Sequence, residues 1–200
     1  MATLLHYYAH PGDRFSKANR ALQSASARVQ GITRVDLYGE YPRGEINLDA
    51  EQERLRDHDV ILLQFPLFWY AAPALMKDWF DRVWEHGFAY GDGGDALRGK
   101  WLMLAVTAGE PAEGYSAEGV QRHSLRTFLT PYEQTARVAQ MRFAAPYVFH
   151  DALTGTPHPH AEGFARLLTA IRDDRYDFAR AEAAEIITHD SLPITEETTA

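Results

Sequence analysis

Apolar and polar positions alternate along this chain in two rhythms. Short runs rich in β-branched and apolar residues recur at Thr3–Tyr8, Thr33–Tyr38, Val60–Phe65, Trp101–Thr107 and Met141–Phe149, and they predict strands. Val60-Ile61-Leu62-Leu63-Gln64-Phe65 and Trp101–Thr107 are continuous apolar runs, as expected for central parallel strands covered on both faces. Between the runs lie segments of helical period. One opens at Ser16, a plausible N-cap, and ends near Gly31; a charged one spans Asp49–Asp57. The next starts at Pro73 and repeats Leu75, Met76, Trp79, Phe80, Val83 and Trp84 on one stripe. Ser124–Ala139 predicts a helix broken at Pro131, and Ala161–Phe178 a last helix. Strand and helix alternate throughout, which implies an α/β fold: a parallel sheet with helices on both faces.

In such a sheet, ligands bind outside the carboxyl ends of the strands. That singles out the loops His10–Asn19, Pro66–Ala72 and Thr107–Tyr115. The first runs into a helix start, whose free N–H groups and dipole suit an anion, with Ser16 and Asn19 as hydrogen-bonding side chains and His10 or Lys17 as positive charge. An ordinary N-cap gives the same local pattern. The loop has neither the GxGxxG nor the GxxxxGK phosphate signature. The second loop carries Phe68-Trp69-Tyr70 in succession, which implies core packing, a subunit interface or the wall of a flat ligand. The third offers Gly109 where backbone must approach something closely, with Tyr115 and His123 beyond it as possible proton donors.

Composition narrows the chemistry. The 200 residues contain no cysteine, which excludes thiolate metal sites, iron–sulfur clusters and cysteine nucleophiles. His158-Pro159-His160 reads as a short pair in a loop, without zinc spacing, so no metal site is expected; there is no GxSxG elbow either. The net charge of −8 gives no basic footprint for nucleic acid. Five of the acids, Glu182, Glu185, Asp190, Glu196 and Glu197, fall in residues 181–200 without a basic partner there, so the rest of the chain carries only −3. That end reads as a solvated acidic tail after a domain of residues 1–180. The N-terminus lacks a signal-peptide pattern and no apolar run reaches transmembrane length, so a cytoplasmic protein is expected.

Pro66-Leu67-Phe68-Trp69-Tyr70, Pro73-Ala74-Leu75-Met76-Lys77-Asp78-Trp79-Phe80-Asp81-Arg82-Val83 and Phe88-Ala89-Tyr90 together resemble the flavodoxin-like NAD(P)H:quinone oxidoreductase family. Ala9-His10-Pro11 with Ser16 and Asn19, and Thr107-Ala108-Gly109, match it in order and spacing over about residues 3–175. The stretch His86–Gly94 is most similar to the short bacterial branch, which includes ancillary flavoproteins of glutathione-gated potassium efflux systems. The resemblance implies a five-stranded parallel sheet in the order 2-1-3-4-5 and a homodimer with sites at its interface. It implies FMN rather than FAD, the long C-terminal extension of the animal members being missing. His10, Ser16, Lys17, Ala18 and Asn19 would hold phosphate and ribityl chain. Pro66, Leu67, Phe68, Trp69 and Tyr70 would line the isoalloxazine, and Thr107, Ala108, Gly109 and Glu110 its opposite edge. Phe128, Tyr132 or the Gly91–Gly94 loop would reach the partner's site. Hydride would pass from NADH or NADPH to the flavin and then to a quinone in a ping-pong cycle. The alternatives are a regulatory flavoprotein on a potassium–proton antiporter, peripheral at the membrane, or a non-enzymatic electron carrier. Two departures stand out: Glu110 occupies a glycine position, and Gln121 occupies the place of the family's catalytic histidine, with His123 two residues further on.

Overall fold

A computed structural model describes residues 2–195. Strands β1 (Leu4–Tyr8), β2 (Thr33–Asp36), β3 (Val60–Pro66) and β4 (Trp101–Thr107) form a parallel sheet in the order β2-β1-β3-β4. Two short strands, β5 (Arg142–Phe143) and β6 (Tyr147–Phe149), both pair parallel with β4 and fill the fifth position. The order is the one expected for a flavodoxin-like sheet.

The period of two along each buried strand divides the core. Leu4, Leu62 and Met103 face one side, where helices α1 (Lys17–Arg28) and α6 (Pro157–Arg172) bring Leu22, Phe164 and Leu168. Leu5, Leu63 and Leu104 face the other, against α3 (Leu48–Arg56), α4 (Ala74–Val83) and α5 (Leu125–Val138). On that second side sits the fully buried carboxylate of Glu51. It accepts from the Tyr41 hydroxyl at 2.6 Å and the Trp79 indole at 2.9 Å, and also from Tyr7 and Arg54. A buried charge with that many donors is fully solvated by protein.

Several boundaries differ from the sequence reading, each for a local reason. The strand expected to reach Tyr38 stops at Asp36, whose Oδ1 accepts from the Tyr38 N–H at 3.1 Å and caps the short helix α2 (Leu37–Glu40). Helix α5 runs unbroken through Pro131. The Thr127 carbonyl, which would have taken the missing Pro131 N–H, instead accepts the Thr130 hydroxyl at 2.9 Å. The last strand is split because one extra residue enters between Phe143 and Tyr147: β5 pairs Leu102 with Phe143, whereas β6 pairs Ala105 with Tyr147. The last helix begins at Pro157, so His158-Pro159-His160 lies in its first turn rather than in a loop. It ends at Arg172, and Phe178–Ala183 forms a separate helix, α7.

The acidic end does not read as solvated over its described part. Ala145 donates to Ala181 O at 3.1 Å, Ile187 to Pro146 O at 2.9 Å, and Val148 to Ile187 O at 2.8 Å. Ile187 is buried in the core, and Thr195 still bonds Arg175. The apolar residues Ile187, Leu192 and Ile194 carry this packing between the acids. Glu196 and Glu197 lie outside the described residues.

Candidate functional site

Strands β1, β3 and β4 end at Tyr8, Pro66 and Thr107, and the three loops that follow converge. Ala9 donates to Gln64 O at 3.0 Å, Leu67 to Thr107 O at 2.9 Å, and the Asn19 amide to Thr107 Oγ1 at 2.7 Å. The His10 ring meets the Phe68 ring edge-on, centroids 5.4 Å apart.

The first loop makes a donor cradle. Ser16 is the N-cap of α1, its Oγ accepting from the Asn19 N–H at 3.2 Å and from the Asn19 amide at 3.2 Å. The N–H groups of Lys17 and Ala18, first in the helix, have no partner within it, and no acid occupies the first turn. His10 Nδ1 accepts from the Gly12 N–H at 3.1 Å, which leaves Nε2 as its donor. Burial lowers the His10 pKa, against the nearby Asp13.

The second loop is a tight hairpin turn. Phe68 and Ala71 exchange both backbone hydrogen bonds, at 2.9 and 3.0 Å, around Trp69 and Tyr70. Both central residues have positive φ, 47° and 66°, the type I′ geometry that favours Asn and Gly. Two bulky aromatics there are a strained choice, and the turn thrusts Trp69 into solvent at 93% exposure.

The third loop is pinned from behind. Ala108 donates to Phe149 O and accepts from Ala152, both at 2.9 Å, and Glu110 O accepts from Asp151 at 2.9 Å. A side chain at Gly109 would press on Leu153 Cδ1 at 3.3 Å. Beyond it Tyr115 is half-buried; its pKa is raised by burial first, then by Glu110 and Tyr70.

A cavity of about 200 Å³ opens between Trp69 and Tyr70 on one side and Gly109, Glu110 and Tyr115 on the other. Thus the second and third loops share a cavity, and the first joins them through the Asn19–Thr107 bond. Gln121 lines the cavity. His123 does not: it is exposed, its ring packed edge-on against Phe128. A larger groove of about 640 Å³ lies beside the turn between α4 and α5, floored by Phe80, Trp84, Phe128 and Tyr132 and sharing Tyr70 with the site.

Sequence reasoning missed two side chains here, His150 and His6, and expected a third, Phe128, at a partner's site rather than against this chain's own Tyr70 and Tyr115. Phe128 packs on Tyr70 at 4.6 Å between centroids and on Tyr115 at 6.3 Å. His150 stacks obliquely on Tyr115 at 5.5 Å, with both ring nitrogens buried and unbonded among the described residues and its pKa lowered by burial. His6, inside β1, bonds Gln64 inside β3. A polar residue in an otherwise apolar strand was the available signal for this last pair, because buried polar groups have partners.

An open parallel sheet in this order, with a helix N-terminus and an aromatic turn at its carboxyl edge, defines a flavodoxin-like α/β protein. The chain belongs to the Flavodoxin_2 family, of flavodoxin-like fold, whose profile matches residues 2–173. It is 44% identical over 149 residues to the glutathione-regulated potassium-efflux system ancillary protein KefG of Cronobacter sakazakii, covering 74% of this chain and 81% of that one. Among solved structures it is similar to general stress protein 14 of Treponema denticola in complex with FMN, with TM-score 0.77 and 34% identity over 86% of this chain and 98% of that one. It is also similar to a protein from P. pentosaceus described as an NADPH-quinone reductase, with TM-score 0.71 and 28% identity over 86% and 96% of the two chains. Among the described residues, no cluster of side chains is arranged to hold a metal ion, and no helix is long and apolar enough to cross a membrane.

Proposed function

We propose that this protein binds FMN and reduces quinones at the expense of NADH or NADPH. The observation that carries the reading is the donor cradle of Ser16, Asn19 and Thr107, bonded as one unit, beside a cavity walled by Trp69 and Tyr70. The residues fit the cofactor: free helix N–H groups and hydroxyls suit a phosphate and ribityl chain, and the aromatic turn suits a flat ring. Ser16, Lys17, Ala18 and Asn19, with His10 Nε2–H, would hold the phosphate end. Pro66 to Tyr70 would line the ring, and Thr107, Ala108, Gly109 and Glu110 its other edge, all within a binding unit of residues 1–180. Bound FMN supplies two-electron redox chemistry that no side chain here has. The chain's part is to orient, to exclude water between Trp69 and Tyr115, and to offer the Tyr115 hydroxyl, kept protonated by burial, as a hydrogen-bond donor.

The 640 Å³ groove, with Tyr70, Tyr90 and Val138 exposed at it, supports a homodimer in which a second copy covers this apolar face. The purified protein should sediment at twice the 22.6 kDa chain mass and carry a flavin absorbance, intrinsic or after addition of FMN. It should oxidise NADH or NADPH only when a quinone is present. Protein that takes up no FMN sinks the reading.

The KefG relatives favour a second reading with the same site: an ancillary flavoprotein seated on a potassium–proton antiporter, where turnover serves regulation. Retention of the chain by membranes that carry such an antiporter, and not by membranes without it, separates the two.

A further inference from the structure

Five buried side chains form one hydrogen-bonded line through the sheet: Ser26 on α1, His6 on β1, Gln64 on β3, Asn19 on α1 and Thr107 on β4, each under 5% exposed. Ser26 Oγ lies 2.8 Å from His6 Nδ1, and His6 Nε2 lies 3.0 Å from Gln64 Oε1. Gln64 Nε2 reaches Asn19 O and Asn19 Oδ1, both at 3.3 Å. Asn19 Nδ2 reaches Thr107 Oγ1 at 2.7 Å and Ser16 Oγ at 3.2 Å.

The direction of every bond in the line is fixed by one acceptor that cannot turn round. The Asn19 main-chain carbonyl only accepts, so the Gln64 atom facing it is the NH₂ group. Gln64 Oε1 therefore points at His6 and must receive a proton, which places the imidazole hydrogen on Nε2. Burial keeps the ring neutral, so it accepts at Nδ1 and Ser26 donates. On the other side, Gln64 donates to Asn19 Oδ1, so the Asn19 NH₂ faces Thr107 and Ser16. Both hydroxyls have accepted, Ser16 twice counting the Asn19 N–H, and each keeps its own proton for something beyond the protein.

We propose that His6 is a positioning residue for the cofactor site: its Nε2–H tautomer locks the Gln64 and Asn19 amides so that Ser16 and Thr107 present hydroxyl protons to an acceptor-rich ligand. His6 itself is separated from those two hydroxyls by the Gln64 and Asn19 side chains. The proposal rests on the FMN reading for the ligand's identity, but the tautomer and the amide orientations belong to the protein alone.

Two measurements test it. In the wild-type protein without added ligand, ¹⁵N chemical shifts of the His6 ring at pH 7 should report a neutral imidazole protonated at Nε2. The Nδ1–H tautomer or a charged ring overturns the proposal, whatever the protein binds. Second, FMN titration by fluorescence quenching should show affinity weakened about tenfold in His6→Leu, which leaves Gln64 Oε1 without its donor. His6→Gln, whose amide can donate to Gln64 and accept from Ser26, should bind FMN within about threefold of wild type. Equal affinity in His6→Leu and wild type overturns the proposal, as does an equal loss in both variants while both stay folded. If His6→Leu does not fold, the ¹⁵N result and His6→Gln decide. Failure of the wild type to bind FMN defeats the functional reading and leaves the tautomer measurement standing.

Discussion

His6 sets an acid limit on the fold. Burial first, and then the charge of Arg34, hold its pKa at about 4 against 6.5 in the open chain, the Gln64 bond opposing. Below pH 6.5 the unfolded chain takes up a proton that the folded one refuses, so stability falls from pH 6.5 to about 4 and then levels. The full loss from this one ring is about 3 kcal/mol. Urea midpoints measured at pH 7 and pH 4.5 should therefore fall further in the wild type than in His6→Gln; parallel declines would refute the assignment. At this scale the sequence was half legible. Ser16 and Asn19 read correctly as a helix start, because capping is local. The partners of Asn19 and His6 were not legible, because Gln64 and Thr107 are brought to them only by strand order. His123 illustrates the converse: its nearness to Tyr115 along the chain led the reading, but the bends and turn between them leave it outside the cavity.

Among the elements, the Phe68–Ala71 turn carries the clearest conflict between local preference and structure. Left-handed backbone at Trp69 and Tyr70 costs on the order of 1–3 kcal/mol each, and Asn-Gly would relieve it. The double variant Trp69→Asn/Tyr70→Gly is expected to melt higher, by about 2–4 °C per kcal/mol relieved. It should also turn over quinone more slowly, because the cavity loses one wall. A variant that is both more stable and fully active would mean that the aromatics serve something else. Strands and helices were legible here as alternating periods of two and of 3.6. The exceptions have particular causes: the Thr130 hydroxyl compensates Pro131, and the extra residue before Tyr147 splits the mostly apolar run Met141–Phe149 into two strands. Neither compensation is visible in periodicity.

For the molecule as a whole, the described part of the C-terminal segment closes the sheet. Ile187 brackets β6 through its N–H and carbonyl, so the β6 edge is not left open to another chain. Ile187→Ala should cost about 2–4 kcal/mol by denaturant unfolding. Removal of residues 184–200 should in addition produce concentration-dependent aggregation; a truncated chain that stays monodisperse would refute the edge-protection role. The layered architecture was legible because β-α alternation implies a parallel sheet covered by helices, and the strand order followed from the family resemblance, whereas the docking of the acidic segment was hidden by its charge. That charge frames a last consequence of the line from Ser26 to Thr107. Its bonds all point one way, so their dipoles add, and the positive end emerges at Ser16 and Thr107 alongside the N-terminus of α1. In a chain of net charge −8, oriented dipoles would thereby supply most of the attraction for an anion at the cradle, beside the single Lys17 side chain. Dipoles shielded in the protein interior are screened little by dissolved ions. Cofactor affinity should then change less than about threefold between 50 mM and 500 mM salt, where a site built on surface cations would lose far more.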